Sequence, residues 1–188
     1  MKVALFGGSF NPIHNGHLNI ADELINKKIV DEVWFIPCGN HAFNKKLSDG
    51  DSRIKMIRLA IGNNSKFKII DLEVKSKEKS YASETIKKLK NNFPNDKFYF
   101  VIGTDNLKDL DRWHDFEYLE NNVEFILINR PSFEFFNNPK LKIKNILDIT
   151  DNASSSQIRE NLGKGISIKR LVSEKVGRYI KQERLYYG

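Results

Sequence analysis

The chain reads as a doubly wound α/β fold, a parallel sheet covered by helices on both faces, with a helical C-terminal part. Three observations carry that reading. Short apolar runs alternate with amphipathic segments from end to end. The first run, Val3 to Phe6, breaks at Gly7-Gly8 and leads into a helical pattern, as a strand–turn–helix unit does. The 188 residues, 40% hydrophobic and 29% charged, suit one domain spanning residues 1–188 with a buried core.

Each element follows in order. Val3 to Phe6 is a buried strand, and Gly7-Gly8-Ser9-Phe10-Asn11-Pro12 is a loop. A helix starts near Gly16 or His17, because Leu18, Ala21, Leu24 and Ile25 fall at helical spacing. Glu32 to Ile36 is a second strand stopped by Pro37, and residues 37–50 form a polar loop. Arg53 to Ile61 reads as a helix capped by Asp51 or Ser52. A third strand runs from Phe67 to Ile70 with an extension to Val74. Ser83 to Leu89 is a helix, and Phe98 to Ile102 a fourth strand. Short helical pieces are expected at Asn106 to Leu110 and Asp115 to Leu119. Val123 to Ile128 is a fifth strand, Lys144 to Ile149 a weaker sixth, and residues 131–143 a loop between them. The last forty residues read as two or three helices, with Gly163 and Gly165 as stops.

Composition narrows the function. Lys and Arg number 31 against 24 Asp and Glu, a net charge of +7, but the basic residues are dispersed rather than gathered in a tract. That distribution suits nucleotides and phosphates at least as well as polymeric nucleic acid. Cys38 is the one cysteine, which excludes an intrachain disulfide and metal sites built on cysteine pairs. The first apolar run is too short for a secretory signal, and no stretch approaches the ~18 apolar residues of a membrane span. A soluble cytoplasmic protein with no membrane partner is expected.

Two segments carry chemistry. The first, Gly7 to Leu18, follows strand one and opens the first helix. In a doubly wound sheet that place lies at the carboxyl ends of the strands, where ligands bind. Glycines let the backbone approach a ligand, and a helix N-terminus attracts a phosphate. His14 and His17, three apart, can both face that anion; alternatively this is a tight turn with two incidental histidines. The second segment is Asn152-Ala153-Ser154-Ser155-Ser156-Gln157-Ile158-Arg159. Its serines are suited to capping a helix, and Ser156 and Arg159 share a helix face.

Together these strings resemble the two signatures of the HxGH nucleotidyltransferase superfamily. His14-Asn15-Gly16-His17 is similar to HxGH, and residues 153–159 are similar to ISSTxIR, with Ala153 for isoleucine and Ser156 for threonine. Intervening segments resemble the bacterial nicotinate-nucleotide adenylyltransferases. Ser80-Tyr81-Ala82-Ser83-Glu84-Thr85 is similar to their SYTxxT, and Ile102-Gly103-Thr104-Asp105 to the end of IIGxD. Leu110 to His114 matches their tryptophan segment, and Asn129-Arg130-Pro131 their ending after strand five. The resemblance runs in consistent order from residue 1 to Tyr187.

The resemblance implies a Rossmann-like fold and transfer of AMP from ATP to nicotinate mononucleotide. It implies that His14, His17 and Arg159 are catalytic, acting on the triphosphate and the transition-state oxygens. Gly7, Gly8, Ser9, Phe10, Gly16 and Gly103 would contact ATP, Asp105 its ribose, and Ser155 and Ser156 the β- and γ-phosphates. Trp113 would stack on the pyridine ring, Thr85 would face the nicotinate carboxylate, and Lys45 or Lys46 would supply a phosphate-binding cation. Mg²⁺ would travel with ATP, without a protein cage. Read without the resemblance, Asp105 is a helix cap, Trp113 a core residue and Thr85 a helix-surface residue. Three positions depart from the family: Asn11 stands for aspartate, Asn40 to Lys46 for a PPHK loop, and Ala82 for threonine. Nicotinamide mononucleotide as acceptor, a phosphopantetheine adenylyltransferase, and a non-catalytic nucleic-acid-binding protein are the rival readings; cytidylyltransferases carry an RTxGIST-like second signature that Asn152 to Arg159 does not match. The sequence sets no oligomeric state.

Overall fold

Parallel pairing governs the architecture of the computed structural model, which describes residues 1–41, 47–129, 141–148 and 153–187. In chain order the elements are β1 (Lys2–Gly8), α1 (Asn15–Asn26), β2 (Glu32–Pro37), β3 (Asn40–His41), α2 (Gly50–Ile61), β4 (Phe67–Ile69), β5 (Lys79–Ser80) and α3 (Ala82–Asn92). There follow β6 (Lys97–Gly103), a 3₁₀ segment (Thr104–Arg112), α4 (Phe116–Asn122), β7 (Glu124–Asn129), β8 (Ile143–Asp148), α5 (Ser155–Gly163) and α6 (Glu174–Gln182). Six strands form one sheet in the order β4-β2-β1-β6-β7-β8, every neighbouring pair parallel.

Strand alternation sends successive side chains to opposite faces, and both faces are buried, which is why the strands read as unbroken apolar runs. On β1, Ala4 and Phe6 enter one core with Phe35, Met56, Ile57, Ile158 and Ile180. Val3 and Leu5 enter the other with Trp34, Ile86, Leu89, Leu110 and Leu119. Helices α1, α2, α5 and α6 thus cover one face; α3, α4 and the 3₁₀ segment cover the other.

Several boundaries differ from the sequence reading. Helix α1 starts at Asn15 with His14 as its N-cap, and α2 is capped by Asp49, whose carboxylate accepts from Ser52 N–H at 2.9 Å. The cap thus falls two or three residues before the expected Asp51 or Ser52, because Asp49 reaches the third amide of the helix. Pro37 closes β2 from inside, opposite Gly8. The third strand stops at Ile69: turns closed by Lys75 N–H to Asp71 O (3.1 Å) and Ser76 N–H to Glu73 O (3.2 Å) replace the extension to Val74. The loop read over 131–143 lies outside the described residues up to 140, and Ile143 already belongs to β8.

The short pair of β3, inside the expected 37–50 loop, with β5 was not visible as an apolar pattern. It depends on Gly39, whose N–H donates to Ser80 Oγ at 2.8 Å. A Cβ at Gly39 would fall 2.0 Å from the Glu73 carbonyl oxygen, so only glycine fits without moving backbone. Gly39→Ala should therefore lower stability by about 1–3 kcal/mol. Gly163→Ala, where a Cβ meets nothing within 4 Å, is the control expected to unfold at or above the parent midpoint in urea.

Candidate active site

The strand order reverses between β1 and β6: from β1 the chain builds outward through β2 and β4, and from β6 it builds the other way through β7 and β8. The crevice above such a reversal is where an open parallel sheet receives ligands. Gly7 and Gly8 end β1, and Gly103 ends β6. The Phe100 ring lies under Gly7, 3.7 Å from where its Cβ would be, and meets Trp113 edge-on with centroids 5.9 Å apart. One aromatic ring therefore links the ends of β1 and β6 to the half-buried indole.

The loop after β1 is pinned before α1 begins. Gly8 lies within 3.0 Å of the Phe10 ring by its missing Cβ, and Phe10 itself takes φ of 44°. Its ring, 1% exposed, packs on Phe6, Phe35 and His17. Phe10, read from the sequence as an ATP contact, thus has its side chain in the core, and only its backbone can meet a ligand. His14 is buried at the helix cap, and its N–H donates to His17 Nδ1 at 3.2 Å. The two imidazoles lie against each other, tilted by 35° with centroids 3.7 Å apart, at the positive end of the α1 dipole. Gly16 is buried between them in the first turn. Asn15 anchors that turn, its N–H to Leu171 O at 2.9 Å and its Nδ2 to Arg170 O at 3.1 Å.

Helix α5 brings the second segment to the same loop. Ser154 caps the helix, accepting from Gln157 N–H at 3.1 Å. Ser155 Oγ donates to Pro12 O at 2.9 Å. Arg159 donates to Asn11 O at 2.7 Å and to Ser156 Oγ at 3.1 Å. Ser156 is exposed and Arg159 half-buried, so a guanidinium face and a hydroxyl border the crevice beside the histidines. Imidazoles, guanidinium and hydroxyls are hydrogen-bond donors to phosphate oxygens, and two of them can carry charge. Burial pushes the thiol of nearby Cys38 above its ordinary 9.0, which disfavours the thiolate.

Underneath, Arg53 ties the strand ends together. It is 2% exposed and donates to the carbonyls of Ser48 (3.0 Å), Ser9 (3.0 Å) and Cys38 (2.7 Å). On the opposite flank, Thr85 is buried and its hydroxyl donates to Glu73 Oε1 at 2.6 Å. Tyr81 stacks on His114 with centroids 4.3 Å apart, and Ser83 Oγ donates to His114 O at 3.0 Å. Asp105 is the second residue of the 3₁₀ segment, which Thr104 opens directly after Gly103.

The cytidylyltransferase-like family model matches residues 5–161, a span holding both segments. The chain belongs to that family. The Bacillus subtilis nicotinate-nucleotide adenylyltransferase is 34% identical over 187 residues, covering 98% of each chain. Plasmodium falciparum nicotinic acid mononucleotide adenylyltransferase complexed with NaAD superposes with a TM-score of 0.84 at 28% identity, covering 98% of this chain and 97% of that one. The same Plasmodium falciparum protein complexed with APC gives 0.80 at 27% identity, covering 98% and 96%. The Rossmann-like fold and the adenylyltransferase relationship expected from the motifs both hold. The chain is a nucleotidyltransferase by family.

The structure gathers His14, His17, Ser155, Ser156 and Arg159 around one loop and sets Gly7, Gly8, Gly103 and Asp105 at the adjacent strand ends. Trp113 and Thr85 lie on the other flank. Lys45 and Lys46 lie outside the described residues. Sequence reading missed Ser48, Arg53, Glu73 and Tyr186 as parts of this region. Arg53 did leave a signal, since it sits four residues before Ile57 on the buried face of α2. Glu73 left none, because its partners lie in β5 and α3.

Burial holds the Glu73 carboxyl above its ordinary 4.5, against the opposing effects of the Thr85 and Ser80 hydroxyls and the Lys88 charge. Above pH 4.5 the folded protein therefore keeps a proton that the unfolded chain releases. Stability contributed by that proton is lost as pH rises through the folded value. Glu73→Gln removes the ionisation, so urea unfolding from about pH 4 to about pH 8 should show a smaller decline in the variant. Equal pH slopes in both proteins would exclude Glu73 as the titrating group.

Proposed function

We infer that this chain transfers the adenylyl group of ATP to nicotinate mononucleotide, yielding nicotinate adenine dinucleotide and pyrophosphate in NAD biosynthesis. The observation that carries this reading is the meeting of two segments 143 residues apart: Ser155 on Pro12 and Arg159 on Asn11 join α5 to the histidine loop at the sheet's reversal point. The domain acts as one unit over residues 1–188. Its single cysteine, Cys38, suits a reducing cytoplasm; among the described residues no helix is long and apolar enough to cross a membrane.

An oxygen of the mononucleotide phosphate attacks the α-phosphorus of ATP, forming the new P–O bond. The bond from the α-phosphorus to the α–β bridging oxygen breaks, and its electron pair leaves with pyrophosphate. The nucleophile is already anionic, so neither a general base nor a covalent enzyme intermediate is required. The barrier lies in bringing two polyanions together and spreading charge at phosphorus, so positioning and electrostatics dominate. His14 and His17 serve the triphosphate and the transition-state oxygens; Ser155, Ser156 and Arg159 hold the β- and γ-phosphates. Backbone of Gly7 to Phe10, with Gly16 and Gly103, lines the ATP side, and Asp105 accepts from the ribose hydroxyls. Trp113 faces the pyridine ring, backbone amides near Thr85 its carboxylate, and Lys45 or Lys46 the acceptor phosphate; the Thr85 hydroxyl itself is held by Glu73. Among the described residues no three His, Cys, Asp or Glu are grouped to hold a metal ion. Mg²⁺ would travel with the ATP phosphates and neutralise part of their charge.

Pyrophosphate release from ATP, measured with nicotinate mononucleotide, nicotinamide mononucleotide and pantetheine phosphate in parallel, tests the reading. Preference for the first is expected. Turnover with pantetheine phosphate alone would overturn it, as would no turnover beside tight, salt-dependent nucleic-acid binding.

Two substitutions test the residue roles. His17→Ala should lower kcat by about 10²–10³ in protein that still folds, as expected for loss of a transition-state donor. Its melting temperature should fall, because the bond from His14 N–H and the contact with Phe10 are lost. A folded variant retaining most of its kcat makes His17 structural. A guanidinium forks across two phosphate oxygens, whereas an ammonium offers a point charge. Arg159→Lys should therefore lose part of kcat/KM for ATP and Arg159→Ala more, with the mononucleotide KM changing much less. Kinetics with each substrate varied separately decide this.

A further inference from the structure

The C-terminal turn reaches back to the loop that carries the two histidines. After α6, Arg184 and Tyr186 adopt left-handed backbone, with φ of 51° and 67°. Side chains with a Cβ disfavour these values, which persist where surrounding contacts hold them. Here Leu185 N–H donates to Ile180 O at 3.0 Å, and Leu185 and Tyr186 pack against the core. The bend delivers the Tyr186 hydroxyl to Asn11 Oδ1 at 2.8 Å, across 175 residues of sequence. Ser48 Oγ donates to the same oxygen at 2.6 Å and lies 3.0 Å from the Tyr186 hydroxyl. Asn11 is 4% exposed, so these hydroxyls, with Ser48 N–H at 3.2 Å, fix a buried amide. Burial keeps the Tyr186 phenol protonated, with its ordinary value of 10.0 pushed higher. On the other side of the same residue, the Asn11 carbonyl accepts from Arg159 at 2.7 Å.

We propose that Tyr186 is a positioning residue for the ATP half of the site: its hydroxyl fixes Asn11, and the Asn11 carbonyl in turn orients the Arg159 guanidinium. Tyr186 acts at one remove from the substrate. The proposal rests on the reading of Arg159 as a triphosphate ligand. It assigns the strained C-terminal turn a kinetic role that packing alone does not require.

Tyr186→Phe removes one oxygen and leaves the ring in place. Its KM for ATP should rise about three- to ten-fold, the range that one hydrogen bond supports, while the nicotinate mononucleotide KM stays within about two-fold. Ser48→Ala, which removes the other hydroxyl on Asn11, should shift the ATP KM in the same direction and supplies the test if Tyr186→Phe folds poorly. An unchanged ATP KM in the folded variants overturns the proposal. A fall in kcat that merely follows the folded fraction, read from thermal melts, does so too. Arg159→Ala separates the two ideas. If it loses ATP dependence while Tyr186→Phe keeps it, the tether fails and the site reading stands; if neither changes, both fail.

Discussion

A buried guanidinium sets the geometry of this crevice. Arg53 has lost its water, and an uncompensated charge in that position would be destabilising by several kcal/mol. It is held instead by three backbone carbonyls, those of Ser9 after β1, Cys38 after β2 and Ser48 before α2. Those carbonyls belong to segments with little regular structure of their own. Each would otherwise need water or a side chain to satisfy it. Meeting at one planar, five-donor group, they become a single rigid rim. Helix α2 is then as much a support for the site as a cover for the sheet.

From that rim the constraints propagate by contact. Ser48 is both a carbonyl partner of Arg53 and a hydroxyl donor to Asn11, so α2's leading edge and the histidine loop share one residue. Asn11 then reaches α5 through Arg159. Asn11, at a position that the motif resemblance gives to aspartate, offers a neutral Oδ1 that accepts from Ser48 and Tyr186. A carboxylate would bring a negative charge close to Arg159. The amide leaves more of that guanidinium's field available to an incoming anion, at the loss of the stronger acceptor.

The sheet was readable because both its faces are buried: Val3 to Phe6 and Phe98 to Ile102 cannot be anything but core strands. The two chemical segments were readable because each sits at a helix start, where residue type and backbone geometry are tightly coupled. What escaped was held by partners far off in sequence. The β3–β5 pair has two residues per strand and no apolar period; it exists because Gly39 has no Cβ and Ser80 has a hydroxyl. Strand β4 looked longer because Leu72 and Val74 continue its alternation, yet the chain turns at Asp71 to bring Glu73 inward to Thr85. Thr85 was read toward the acceptor, and its hydroxyl lies on Glu73. Tyr186 near a chain end carries no local signal at all.

That division matches the chemistry. Adenylyl transfer between two anionic phosphates requires donors at fixed positions more than it requires an unusual nucleophile. Local sequence supplies the donors, His14 and His17 at one helix start and Ser155, Ser156 and Arg159 at another. Their relative placement depends on contacts that local sequence cannot encode: a carbonyl-bound arginine, a buried amide and a tyrosine bent back through strained backbone. The parallel topology makes those contacts possible, because the carboxyl ends of the strands all open toward one edge of the sheet. The second segment follows β8 and returns to α1's loop after five further strands of the main sheet, and Ser155 and Arg159 bind backbone carbonyls there rather than side chains. A backbone carbonyl's place is set by the loop's path, so the register between the two halves of the site depends on that path and hence on Arg53 beneath it.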